Sequence, residues 1–231
     1  MACPPITGVI LAGGLGRRMG GVDKGLQLLN GRPLVSHVIE RLAPQVDELL
    51  INANQNGDRY AAFGHRVVPD RIPDFAGPLA GLHAVLAAAA HPLVATAPCD
   101  SPFLPADLVL RLFSGLTATG ADVAVARTGG RVQPVFCLCR RDLQPHLAAY
   151  LASGERRMVG WHATLKVAEI AFDDEAEAFA NLNTRDELGR FESGDPRAFP
   201  ALGGAAEAPC MAASKVLRLV QESCRKKTKS R

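Results

Sequence analysis

Short unbroken apolar runs alternate along this chain with stretches in which apolar residues recur at helical spacing. Residues 6–11, Ile-Thr-Gly-Val-Ile-Leu, are β-branched and nearly all apolar, which predicts a strand buried on both faces. Residues 26–29 read as a short extended piece closed by the turn pair Asn30-Gly31. Pro33 suits the first turn of a helix, and Leu34, Val38, Ile39 and Leu42 share one helical face. A second core strand is expected at residues 48–52, a short helix at 58–62 and a third strand at 66–68. Gly77-Pro78-Leu79-Ala80-Gly81 opens a helix running to about Ala90, followed by an apolar strand at 92–97. Leu108, Leu112 and Leu116 continue a helix beginning near Pro105, with Asp107 in its first turn. Strands at 121–126 and 133–138 flank a hairpin-like turn at 127–131. Val135, Cys137 and Cys139 alternate onto one face, as core residues do. Leu143, Leu147, Tyr150 and Leu151 predict another helix, residues 166–172 a strand, and Thr184 with Glu187 the capping box of a last helix.

Alternating strands and helices of this kind predict a three-layer α/β/α, Rossmann-like domain with a mostly parallel central sheet. It is expected to occupy residues 1–191. The pattern then gives way to Ser193-Gly194-Asp195-Pro196, Gly203-Gly204 and Pro209, which read as a linker, and to a basic run at 225–231. Residues 192–231 are therefore expected to be a flexible extension. The 231 residues are 48% hydrophobic and 21% charged, enough for one well-buried core. A net charge of +3 and 5% aromatic residues give no footprint for nucleic acid or a membrane surface. Residues 1–5 carry no basic region leading to an apolar core, and no apolar run reaches bilayer length. Six scattered cysteines, with no Cys-x-x-Cys pair, read as buried or free thiols of a reducing cytoplasm rather than a zinc site.

The chemistry gathers where strands end. In an open parallel sheet, ligands bind beyond the carboxyl ends of the strands. The first strand runs into Leu11-Ala12-Gly13-Gly14-Leu15-Gly16-Arg17-Arg18-Met19-Gly20-Gly21-Val22-Asp23-Lys24, a glycine-rich loop with two arginines and a closing lysine. Glycines let backbone N–H groups approach a phosphate, and Arg and Lys neutralise it. The loop is not the P-loop, because Gly25 follows Lys24 where Ser or Thr is required, and it departs from the dinucleotide fingerprint. Asn52 ends the second strand, where an amide meets a base or ribose or simply forms a turn. Asp70 ends the third. Gly77 opens a helix whose free N–H groups suit a base edge or an anion, or packs that helix on the sheet. Asp100, just past the apolar strand 92–97, is placed to hold a hard, oxygen-seeking Mg²⁺ that also binds substrate phosphates, or to cap the helix that starts near Pro105.

Leu11-Ala12-Gly13-Gly14-x-x-x-Arg18-Met19-Gly20 with Asp23-Lys24 resembles the signature loop of nucleotidyltransferases of GT-A-like architecture, and within them the molybdenum cofactor guanylyltransferases. Gly77-Pro78-Leu79-Ala80-Gly81, residues 154–158 and residues 180–188 resemble further segments of that family, over roughly four-fifths of the chain. The resemblance implies transfer of GMP from GTP to the terminal phosphate of Mo-molybdopterin. Lys24, Arg18 and Asp100 would be catalytic, Asp100 would hold Mg²⁺, and Leu11, Ala12, Gly13, Gly14, Lys24, Asn52, Asp70, Gly77 and Asp100 would bind GTP. Arg156, Arg157, Asn181 and Asn183 fall on the acceptor side, where solvated or capping roles are the alternative. Gly13 stands where the sister cytidylyltransferases usually carry Ala. The implied partners are GTP and Mo-molybdopterin, with transient contact to molybdopterin-loading proteins and apo-molybdoenzymes, and a monomeric state. Rival readings are a CTP-dependent enzyme acting on molybdopterin or a sugar or polyol phosphate, a GT-A glycosyltransferase lacking its Asp-x-Asp motif, and a nucleotide-binding adaptor that delivers cofactor.

Overall fold

The computed structural model of the chain describes residues 4–14, 23–72 and 77–182. Its centre is β1 (Ile6–Leu11), buried at every position. Ile6 and Ile10 face one core while Val9 and Leu11 face another. A strand buried on both sides is nearly all apolar, which is why the run shows no alternation; its one polar side chain, Thr7, donates to Glu48 Oε2. β1 pairs in parallel with β4 (Glu48–Asn52) and with β6 (Leu93–Pro98), and β4 pairs in parallel with β5 (Arg66–Val68). A two-stranded hairpin, β2 (Leu28–Leu29) and β3 (Arg32–Pro33), lies between β1 and α1 (Leu34–Leu42). Pro33 belongs to this hairpin, paired with Leu28, and the helix begins only after it.

The remaining strands are β7 (Val123–Thr128), β8 (Arg131–Arg140) and β9 (Val167–Ala171). The seven-stranded sheet has the order β5-β4-β1-β6-β8-β7-β9. All pairings are parallel except those of β8, which runs antiparallel to β6 and β7. The mostly parallel three-layer architecture is therefore as the sequence predicts. The turn joining β7 and β8 is shorter than the expected 127–131. Gly129 and Gly130, with φ of 53° and 74°, close a two-residue turn that needs left-handed backbone at both positions. β8 is also longer than the expected strand. Val125 opposes Cys137 and Ala126 opposes Gln133, so residues 134–136 bulge away from β7. Pro134, which lacks an N–H to give a neighbour, sits in that break.

α1 and α4 (Leu108–Thr119) cover one face of the sheet; α3 (Pro78–Ala88), α5 (Gln144–Ala152) and α6 (Met158–His162) cover the other. α4 begins later than expected, since residues 105–107 form a turn in which Leu108 N–H donates to the Pro105 carbonyl. α3 is buried from Leu79 to Leu86, so it is apolar on nearly every side, His83 excepted, rather than striped. Cys137 and Cys139 are fully buried in the core beside Trp161, as expected from their alternation. No helix among the described residues is long and apolar enough to cross a membrane. Arg18, Asn183, the Thr184–Glu187 capping box and the 192–231 extension lie outside the described residues.

Candidate active site

The chain leaves β1, builds β4 and β5 on one side, then crosses to β6 on the other. The order reverses between β1 and β6, and the crevice at such a switch point is where open α/β sheets bind ligands. Here the carboxyl end of β1 supplies Leu11, Ala12, Gly13 and Gly14, and the carboxyl end of β6 supplies Asp100. Backbone bonds extend the pairing of β1 with both neighbours: Cys99 N–H donates to the Leu11 carbonyl (3.2 Å) on the β6 side, and Ala12 N–H to the Asn52 carbonyl (2.8 Å) on the β4 side. Lys24, at the start of a short helical turn Lys24–Leu26, returns to the crevice with Nζ 3.2 Å from Asp100 Oδ2. The pair is partly desolvated, with Asp100 the more buried partner.

Beside it lies a polar cluster built from β4 and β5. Asn52 Nδ2 donates to Asp70 Oδ1 (2.8 Å) and to the Val68 carbonyl (3.0 Å). Asn54 Nδ2 donates to Asp70 Oδ2 (2.8 Å), and Asp70 N–H donates to Asn54 Oδ1 (2.8 Å). Asn54 thus fixes the carboxylate from the other side. A Cβ on Gly13 would come within 3.0 Å of both Asn52 Oδ1 and Asn54 Nδ2, so the loop backbone passes directly over the two amides. A Cβ on Gly81 would collide with Asn52 Oδ1. The Gly77–Gly81 segment therefore owes one of its glycines to close packing of α3 on the cluster. Gly77, at φ 148°, caps the start of α3 beside it.

On the far side of Asp100, Leu182 N–H donates to the Asp100 carbonyl (2.9 Å) and Ser101 Oγ donates to Asn181 Oδ1 (2.5 Å). Asn181 is thereby brought against the aspartate loop. Arg156 Nη1 donates to the carbonyls of Leu151 (2.9 Å) and Glu155 (2.7 Å), and exposed Arg157 caps α6. Both arginines thus sit at a helix junction, Arg156 turned onto local backbone.

No histidine is woven into these contacts. His37 Nε2–H donates to the Leu29 carbonyl (3.1 Å), and His83 Nε2 accepts from Gln144 (2.9 Å). His146, for which the sequence offers no partner, accepts from Trp161 Nε1–H (3.1 Å). Cys99 adjoins Asp100, but burial, reinforced by the Asp100 charge, pushes its thiol far above the ordinary range. It is a neutral packing residue, not a nucleophile.

Among the described residues no cluster of three or more His, Cys, Asp or Glu side chains is placed to hold a metal by itself. A single carboxylate such as Asp100, largely buried and facing Lys24, is still compatible with Mg²⁺, which takes one or two carboxylates and completes its shell with substrate oxygens and water. Asn54 and Ser101 are site residues that motif reading did not single out. Asn54 carries one sequence signal, its place two residues beyond Asn52 on the same side of the chain.

The description "MobA-like NTP transferase domain" matches residues 8–166 of the chain. A molybdenum cofactor guanylyltransferase of Cupriavidus necator is 54% identical over 193 residues, covering 81% of this chain and 96% of that protein. Its namesake in Burkholderia ambifaria is 54% identical over 194 residues, covering 80% and 94%. The fold is shared with the crystal structure of molybdopterin-guanine dinucleotide biosynthesis protein A from Archaeoglobus fulgidus (TM-score 0.69, 23% identity, covering 83% and 99%). The matched domain and these relatives, with the Lys24–Asp100 pair and the Asn52–Asp70 cluster at one switch point, show that the chain belongs to the MobA-like NTP transferases, in the family of molybdenum cofactor guanylyltransferases.

Proposed function

We propose that this nucleotidyltransferase moves GMP from GTP to the terminal phosphate of Mo-molybdopterin, releasing pyrophosphate and forming molybdopterin guanine dinucleotide. The observation that carries the reading is the Lys24–Asp100 pair, 3.2 Å apart at the crevice between β1 and β6. Sequence identity of 54% to relatives named for that activity supports it over most of the chain. The acceptor phosphate attacks the α-phosphorus in line, the bond to the β-phosphate oxygen breaks, and that oxygen leaves with the pyrophosphate. A phosphomonoester has its second pKa near about 6, so at neutral pH the nucleophile is already ionised and needs no general base.

Catalysis then rests on placement and charge. Lys24 would contact the triphosphate and offset the charge that grows on the leaving pyrophosphate. Backbone N–H groups after β1 would line its path, with Arg18 adding charge. Asp100 would hold Mg²⁺, which when bound neutralises the phosphates. Asn52 and Asp70, held rigid by Asn54, would receive the nucleoside, and Asp70 offers acceptors to guanine N1–H and its exocyclic amine or to ribose hydroxyls. Arg156, Arg157, Asn181 and Asn183 are assigned to the acceptor. A cytoplasmic monomer that meets molybdopterin-loading proteins and apo-molybdoenzymes is the setting this chemistry suits. The test is pyrophosphate release with Mo-molybdopterin and each of GTP, CTP, ATP and UTP. Release with GTP alone is expected; preference for CTP would move the chain to a cytidylyl transfer.

A further inference from the structure

Lys24 is presented by a three-residue turn whose anchoring lies elsewhere. Asp23, just before it, spends its carboxylate on residues of the α2 region (Gly57–Ala61): Tyr60 Oη–H donates to Oδ1 (2.5 Å), and Asn56 Nδ2 to Oδ2 (3.0 Å). Gly25, just after it, packs so tightly that an added Cβ would lie 2.5 Å from Tyr60 Oη and 3.2 Å from Cys99 Cβ. Both neighbours of Lys24 are thus fixed by the same fully buried tyrosine, while the Lys24 ammonium reaches Asp100. Burial, with help from the Asp23 carboxylate, drives the Tyr60 phenol far above its ordinary range, so it stays a proton donor. Among the described residues, both Asp23 carboxylate oxygens accept from side chains of the α2 region.

We propose that Tyr60 and Asn56 are positioning residues for Lys24: by clamping the Asp23 carboxylate they set the turn that holds the Lys24 ammonium at Asp100. The proposal rests on the reading of Lys24 as the residue that meets the triphosphate. An ammonium displaced by about 1 Å can no longer serve a transition state that depends on placement, so release of the clamp acts on turnover. A tyrosine kept only to fill the core would instead lose stability and nothing specific to Lys24.

The test is a double-mutant cycle in the full chain, read as kcat and KM for GTP-dependent pyrophosphate release, with thermal unfolding alongside. Tyr60→Phe keeps the ring and removes only the donor. Asn56→Gly removes the amide and keeps a backbone that sits at φ 54°, where glycine is unstrained. Each single variant is expected to lower kcat about tenfold, the loss of one hydrogen bond to a charged group, with KM for the acceptor unchanged. In a Lys24→Ala background either change is expected to cost less than about twofold, because the residue they position is gone. Should Tyr60→Phe fail to fold, the Asn56→Gly arm carries the same cycle. A loss that persists in full on Lys24→Ala, or wild-type turnover in Tyr60→Phe and Asn56→Gly, would overturn the proposal alone. Wild-type turnover in Lys24→Ala itself would overturn the reading of Lys24 and the proposal with it.

Discussion

Lys24 and Asp100 are 76 positions apart in the chain, yet their side chains meet at 3.2 Å where the sheet order reverses. One follows the loop after β1 and the other follows β6, so neither strand alone makes the site.

Removing either member leaves the partner charge without its counterpart and the triphosphate without a contact. Lys24→Ala and Asp100→Ala are each expected to lower turnover by a factor on the order of 10²–10³ or more, the usual effect of losing one preorganised electrostatic contact. Lys24 is half-buried and Asp100 buried, so each variant is compared with the wild type only after far-ultraviolet circular dichroism shows the same folded spectrum. Near-wild-type rates in folded protein would remove this pair from the mechanism.

Gly81 is the reverse case, a position where the change adds an atom. Ala in place of Gly inside α3 gains about 1 kcal/mol of helix propensity. The new Cβ, however, meets Asn52 Oδ1, and overpacking of this kind costs about 1–3 kcal/mol. Gly81→Ala is therefore expected to be net destabilising in urea unfolding and to raise KM for GTP, since Asn52 must move. A more stable variant with unchanged KM would show that Asn52 is not held against α3.

His83 is buried in α3 and accepts from Gln144, while its Nδ1 has no hydrogen-bond partner among the described residues. Burial, with the Arg71 charge nearby, pushes its imidazole below the ordinary histidine value. The unfolded chain then takes up the proton first as pH falls. The contribution of His83 is complete above pH about 6.5 and is lost as pH drops from there through the folded-state value. The unfolding temperature of the wild type is expected to fall more between pH about 7.5 and 5.5 than that of His83→Gln. Equal falls in the two proteins would place the acid sensitivity elsewhere.

The rate itself is expected to decline on the acid side with an apparent pKa near about 6, that of the acceptor's own phosphate. The same limb is expected in His37→Gln and His83→Gln, because neither imidazole touches the site residues. Its disappearance in either variant would mean that a histidine supplies the proton acceptor.

Much of this arrangement is legible in the sequence, for a definable reason. A parallel strand buried on both faces leaves an unbroken apolar run, and the polar residue that ends it is forced to the carboxyl edge. Asn52, Asp70 and Asp100 are found that way. The direction of β8 is less visible, since an apolar run carries no sign of its orientation; only Gly129-Gly130 marks the tight hairpin that reverses it. Asp23 and Tyr60 are 37 positions apart and joined by one hydrogen bond, and the pattern around Tyr60 reads simply as the apolar side of a short helix. Asn54 is hidden similarly, because its contact with Asp70 depends on how two parallel strands are registered.

The central claim is that GTP gives up its α-phosphoryl group, with the guanosine attached, to a phosphate acceptor. The most direct measurement is to supply GTP labelled at either the α- or the γ-phosphate together with Mo-molybdopterin and Mg²⁺, and to follow each label. The expected result is the α-label in the dinucleotide product and the γ-label wholly in pyrophosphate, with both transfers lost in Lys24→Ala. Transfer of the γ-label to the acceptor, or retention of both labels in one released nucleotide, would contradict it.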